Sequence, residues 1–411
     1  MQNILPKGIL KEGNYMKNQF ADRCLMTRKD TNCSKWDFVE EKFGDKDLLP
    51  VWVADMDFKV PECVQRALHE YVEMGAFGYY KTPDSYKDNF IKWEKTHHGY
   101  EVKRDWILYS PGVVSGIFWL LNSLTEPDDH VIILSPVYYP FMEAITANGR
   151  KPVYSMLKND KGVYTIDFED FENKIVDNDV KLFILCSPHN PIGRVWDREE
   201  LEKLLNICRK HNVYVIADEI HHDFEISKKH IPAATVGDYD DMLATITAPS
   251  KTFNLAAAQN SIVIIPDEKI RAKFKEFVSH TRIHGGNAFG IVAATAAYEG
   301  GEKWLEAVLE EIRGNFEYLR DSLIEDFPEI VVSPLEGTYL AWIDFGAYIK
   351  HDELVDFVQK ECRFAPDYGE WFFPPEMKDD THVRINLATP RENIEKLDSL
   401  IEKALKKRLH K

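Results

Sequence analysis

Val180-Lys-Leu-Phe-Ile-Leu-Cys-Ser-Pro-His-Asn-Pro-Ile-Gly193 is the stretch that decides the fold class. An apolar run with no polar face turns at once into a polar segment carrying Ser187, His189 and Asn190. A strand built from such a run must be covered on both faces, which points to a parallel sheet flanked by helices. Ligands of these sheets bind beyond the carboxyl ends of the strands, where the polar turn lies. Outward from this stretch, short apolar runs recur at 106–109, 130–134, 151–155, 213–217, 243–247 and 261–265. Helix-period segments separate them, among them 113–124, 140–148 and 198–211. The alternation predicts an α/β fold, with a large domain built on a mostly parallel central sheet covered by helices.

Past residue 300 the pattern changes. A long amphipathic helix at 302–327 precedes short runs at 329–332 and 338–343, a helix near 352–362, a strand at 382–387 and a final helix from Arg391. This reads as a smaller α+β domain. The expected division is 1–60 as an N-terminal segment packing with the small domain, 61–300 as the large domain and 301–411 as the small one.

With 411 residues and 44% hydrophobic content, the chain can bury one large core and a second, smaller one. A net charge of −17 argues against nucleic acid or an anionic membrane as partner, because both need a basic face. No run of eighteen apolar residues and no apolar N-terminal signal core are present, so a cytoplasmic location is expected. The six cysteines form no CxxC pair and are expected to be buried, reduced thiols. Lys11-Glu-Gly-Asn-Tyr-Met16 reads as a translated ribosome-binding site, which makes Met16 the expected natural start.

The reactive-looking segments follow the apolar runs in the same way. Ser110-Pro-Gly112, Ser135-Pro136, Ser187–Asn190, Asp218 and Ser250-Lys251 each close a run. A lysine at such an edge, as Lys251 in Ala248-Pro-Ser-Lys-Thr-Phe-Asn-Leu-Ala256, can be desolvated into a usable nucleophile. Together with the acid Asp218 and the amide Asn190, it supplies the groups that a pyridoxal phosphate site needs. Each member also has an ordinary reading: Asp218 as a salt-bridged acid, Arg384 as half of a surface pair, Tyr79 and Tyr138 as core aromatics. Arg282, His284 and Asn287 read as a loop. The run Asp218, Glu219, His221, His222, Asp223 resembles a metal cluster, yet adjacent strand histidines face opposite sides and HxxxH is absent. No metal site is expected there.

Leu49-Pro-Val-Trp-Val-Ala-Asp-Met-Asp-Phe58, Gly75-Ala-Phe-Gly-Tyr79, Asp218-Glu-Ile-His221 and Ser250-Lys-Thr-Phe-Asn254 together resemble the MalY/PatB group of fold-type I pyridoxal phosphate enzymes. These are cystathionine β-lyases and other cysteine–sulfur lyases, relatives of the class I/II aminotransferases. The resemblance implies that Lys251 holds the cofactor in Schiff-base linkage and that Asp218 pairs with its pyridine nitrogen. It further implies that Asn190 bonds the ring hydroxyl, Tyr138 stacks on the ring, and Gly112, Val113, Val114 and Ser250 hold the phosphate. His221 stands where many aminotransferases carry a tyrosine, which fits the lyase group. Arg384 matches the residue that clamps the substrate carboxylate, beside Asn190. Tyr79 matches a tyrosine that reaches into the neighbouring subunit, which implies a homodimer. Gln259 replaces the aminotransferase phosphate-binding arginine and leaves the phosphate charge without an evident cation.

The implied reaction is α,β-elimination from cystathionine, cysteine or another S-substituted cysteine, giving pyruvate, ammonia and a thiol or sulfide. The alternatives are transamination, and an added role in restraining a transcription activator, which some members of the group have. The aromatic stretch 364–375, with Asp367, Tyr368, Trp371 and Phe372, is the expected specificity wall.

Overall fold

The computed structural model describes Cys24 and residues 26–283, 285–377 and 380–410. Met16 and His284 lie outside the described residues.

Seven strands form the central sheet: β1 (Ile107–Ser110), β2 (His130–Ser135), β3 (Lys151–Met156), β4 (Val180–Cys186), β5 (Tyr214–Asp218), β6 (Leu243–Thr247) and β7 (Ser261–Ile264). Their order is β1-β7-β6-β5-β4-β2-β3. β3, β2, β4, β5 and β6 run parallel, while β7 is antiparallel to both β6 and β1. The carboxyl ends of β1, β2, β4, β5 and β6 therefore share one edge with the amino end of β7.

The apolar run of β4 shows why the sheet is covered on both faces. Phe183 and Leu185 pack into one core with Leu201, Leu204, Leu205 and Cys208 of the helix Arg198–Lys210. Leu182 and Ile184 face the opposite core, with Ile117, Leu120 and Leu121 of the helix Val113–Leu124. The helix Arg198–Lys210 starts at a capping box in which Asp197 and Glu200 satisfy each other's backbone N–H groups. The helix Val113–Leu124 lies close against the sheet because Gly116 has no side chain: a Cβ there would strike Ile246 and Ser110 Oγ.

A second sheet is formed by β8 (Val331–Val332), β9 (Leu340–Asp344), β10 (Asp367–Tyr368) and β11 (His382–Asn386), in the order β8-β9-β11-β10. The helices Glu302–Asp326 and Arg391–Leu409 pack beside it. The segment 49–58 is tied to this region: Leu49–Pro50 pairs with Phe364–Ala365, and Asn386 Nδ2 donates to the carbonyls of Val53 and Asp55. The helix expected near 352–362 divides into an α-helix His351–Asp356 and a π-turn Phe357–Glu361.

Candidate active site

The shared strand edge opens into a cavity of about 210 Å³. Lys251, Asp218, Asn190, His221, Tyr138 and Ser250 all line it, as do Gly112, Val113 and Val114. The strands bring them there: Asp218 ends β5, Asn190 lies four residues beyond β4, and Lys251 sits in the short helix Pro249–Thr252 after β6.

Asp218 is buried, and burial raises its carboxyl to about 7 against the opposing Ile220 N–H bond (3.1 Å to Oδ1) and the charge of Lys251. Lys251 is displaced the other way. Burial lowers its amine to about 8, with Asp55 pulling against that. Its Nζ donates to the carbonyl of Ala54 at 2.7 Å, the same oxygen that accepts from Tyr339 Oη at 2.8 Å. The 49–58 segment thus reaches across to hold the lysine. His221 is buried and held well below its usual basicity by burial and by the neighbouring Lys251 charge, so its imidazole is neutral.

At the other end of the cavity, the helix Val113–Leu124 points its amino terminus inward. The first intrahelical bond is Gly116 N–H to Gly112 C=O (2.9 Å), which leaves the N–H groups of residues 113–115 for an anion. Asn260, at the start of antiparallel β7, adds a buried Nδ2 with no hydrogen-bond partner. Sequence reading missed it because it searched strand ends, and only the antiparallel pairing brings the beginning of β7 to this edge. Gln259 lines the cavity beside Asn260 with φ of 47°.

Arg384, on β11, stands behind Asn190 rather than on the cavity wall. Its guanidinium donates to Asn190 Oδ1 (3.0 Å) and to the carbonyl of Trp52 (3.1 Å), and it pairs with buried Asp367. With Oδ1 engaged, the Asn190 amide nitrogen is the group left to donate into the cavity. Phe372 lies under the guanidinium at 5.0 Å, whereas the Tyr368 hydroxyl accepts from Gln359 and Trp371 packs against Lys42. Of the expected specificity wall, Asp367 and Phe372 meet the site through Arg384. Tyr79 is fully exposed and lines no part of this chain's cavity.

The cavity therefore fits pyridoxal phosphate at each of its ends. A nucleophilic lysine is available for the aldehyde, a buried acid lacking a full counter-charge for the ring nitrogen, and a helix terminus with a spare amide for the phosphate. Fold and site together define a fold-type I pyridoxal phosphate enzyme.

The chain belongs to the class I and II aminotransferase family, whose model matches residues 47–401. Within it, the chain groups with PatB and MalY. It is 42% identical to the cystathionine β-lyase PatB of Bacillus subtilis (strain 168), over 78% of this chain and 84% of that protein. It is 31% identical to the protein MalY of Escherichia coli (strain K12), over 90% and 95%. The structure of cystalysin from Treponema denticola, which contains pyridoxal 5'-phosphate, superposes with a TM-score of 0.88 at 34% identity, covering 93% of this chain and 98% of that one.

Proposed function

We propose that this protein is a pyridoxal phosphate-dependent carbon–sulfur β-lyase acting on cystathionine, cysteine or related S-substituted cysteines. The observation that carries the reading is one cavity holding a lysine lowered to about 8 and an acid raised to about 7, beside a helix amino terminus. The similarity to PatB supports elimination as the outcome. Pyridoxal phosphate, when bound, supplies the electron sink for a carbanion at the substrate Cα.

Each side chain then has a task. Arg384 supplies the cation for the α-carboxylate, and its guanidinium takes up that fork by exchanging its bonds to Asn190 and Trp52. Asp218 holds a proton on the ring nitrogen. Lys251 Nζ, which loses its own proton near pH 8, removes the Cα proton as general base. The Cβ–S electron pair leaves with sulfur as thiolate, and hydrolysis of the remaining three-carbon fragment gives pyruvate and ammonia. His221, neutral and uncharged, adds no second positive charge beside Lys251.

Exposed Tyr79 follows two residues after Phe77, which forms an exposed aromatic patch with Phe289 at 5.4 Å between ring centroids. A second copy of the chain covering this patch, with Tyr79 entering its cavity, is the proposed assembly. Incubation with cystathionine in the absence of any 2-oxo acid tests the reaction. Sustained pyruvate release is expected; a single stoichiometric half-turnover would instead identify an aminotransferase.

A further inference from the structure

Behind the cavity, on the far side of the Asp218–Asp223 turn, lies a second polar cluster that the proposed reaction does not use. Glu94 and His98 stand four residues apart on the π-turn Glu94–His98, and His222 meets them from the turn after β5. All three are buried. One donor atom from each lies within 4.8 Å of the other two.

The surrounding hydrogen bonds occupy one nitrogen of each imidazole. Thr247 Oγ1 donates to the carbonyl of Glu219 and so accepts at 3.2 Å from His222 Nδ1–H, which leaves Nε2 to face the carboxylates of Glu94 and Asp223. Asp223 Oδ1 accepts at 2.8 Å from His98 Nε2, which leaves the lone pair on Nδ1. His222 Nε2, His98 Nδ1 and Glu94 Oε1 are each buried without a well-aligned hydrogen bond, although His222 Nε2 lies 3.1 Å from Asp223 Oδ2. Glu94 Oε1 stands 3.6 Å from His222 Nε2, close to the spacing of two ligands on one tetrahedral ion.

Asp223 has the surroundings of a supporting carboxylate rather than a ligand. It accepts from Trp93 Nε1 (3.0 Å), from His98, and from Thr252 Oγ1 (2.6 Å) beside Lys251, and its Oδ2 lies 3.1 Å from His222 Nε2. A carboxylate receiving the second N–H of a metal-bound imidazole is the usual outer partner of such sites. Half-buried Glu225 stands at the outer side of the cluster, its Oε1 3.9 Å from His98 Nδ1.

We infer that Glu94, His98 and His222 bind a divalent transition-metal ion of the zinc type, held structurally behind the active site. Two imidazoles and one carboxylate suit zinc or cobalt(II) over the harder magnesium and calcium. The expectation of no metal weighed residues 218–223 alone. That run does send His221 and His222 to opposite sides, but the partners of His222 come from Glu94-Lys-Thr-His-His98, a carboxylate–imidazole pair at helical spacing.

The test uses holoenzyme purified without a metal-affinity tag, with elemental analysis before and after titration with zinc and with cobalt(II). About one tightly held ion per chain is expected, with a d–d absorption band for cobalt, and both lost in Glu94→Gln and in His222→Gln. Circular dichroism establishes that each variant is folded, and either one alone suffices if the other is not. Failure of the wild type to retain either ion overturns the inference. So does equal retention by the folded variants, which would place the ion elsewhere.

Discussion

Replacing Asp218 with Asn should stabilise the protein without its cofactor and cripple it with the cofactor bound. In the structure the carboxyl is fully buried and burial raises it from 3.8 to about 7, against the weaker opposing charges of Lys251 and His222. At about 1.4 kcal/mol per pH unit, the ionised form carries a penalty of about 4 kcal/mol. The folded value lies above the unfolded one. Stability linked to this group is therefore complete below about pH 3.8 and is lost as pH rises through about 7. Between about pH 5 and pH 8 the apoenzyme should lose about 2–3 kcal/mol that Asp218→Asn does not lose. Denaturant titrations of the two apoenzymes at both pH values measure this difference. A protonated ring nitrogen supplies the missing counter-charge, so the holoenzyme should respond in the opposite sense. Loss of about three pH units of ring-nitrogen basicity corresponds to a fall of about 10²–10³ in thiol release. Parallel pH profiles for the two apoenzymes would refute the claim that an uncompensated buried carboxylate awaits the ring.

Other perturbations separate the remaining roles. Reconstitution of apoenzyme with pyridoxal phosphate should accelerate as pH rises through about 8, because burial lowers the Lys251 amine and only its neutral form attacks the aldehyde; rapid absorbance measurements follow this. Arg384→Lys loses the planar fork that spans Asn190, Trp52 and Asp367, so KM for the amino acid should rise about 10–100-fold while cofactor absorbance is unchanged. Mixing inactive Lys251→Ala with a Tyr79→Ala variant should restore partial thiol release if each cavity is completed by the neighbouring copy; mixtures no more active than their components would refute the shared site. Asn260→Ala removes the spare Nδ2 and should weaken pyridoxal phosphate retention about tenfold in equilibrium dialysis.

Much of the site was readable along the chain because each strand of a parallel sheet delivers its next residues to the same edge. Asn190 after β4, Asp218 at the end of β5 and Lys251 after β6 follow that rule, and no long-range contact is needed to locate them. The rule fails where a strand reverses. Asn260 precedes antiparallel β7 and reaches the same edge from the other direction, so its place depends on a pairing with β6 and β1 that local pattern does not encode.

Lys251 shows the same division within one residue. Its position in a polar turn after a buried strand marks it as a possible nucleophile from sequence alone. Its lowered basicity comes from burial beneath the 49–58 segment, nearly two hundred residues earlier, and from the charge of Arg384 on the other sheet, both acting against Asp55. Likewise, the family resemblance around Arg384 implies a carboxylate clamp but not the buried Asp367 that holds it, because that contact exists only when β10 pairs with β11. His222 lies more than a hundred residues beyond Glu94 and His98, and the three acquire a common donor set only through packing. Apolar period and turn chemistry are local properties, so the sequence by itself determined the sheet, its reactive edge and the order of the residues along it. Burial, charge compensation and the convergence of donor atoms depend on distances between elements, and those only the tertiary structure decided.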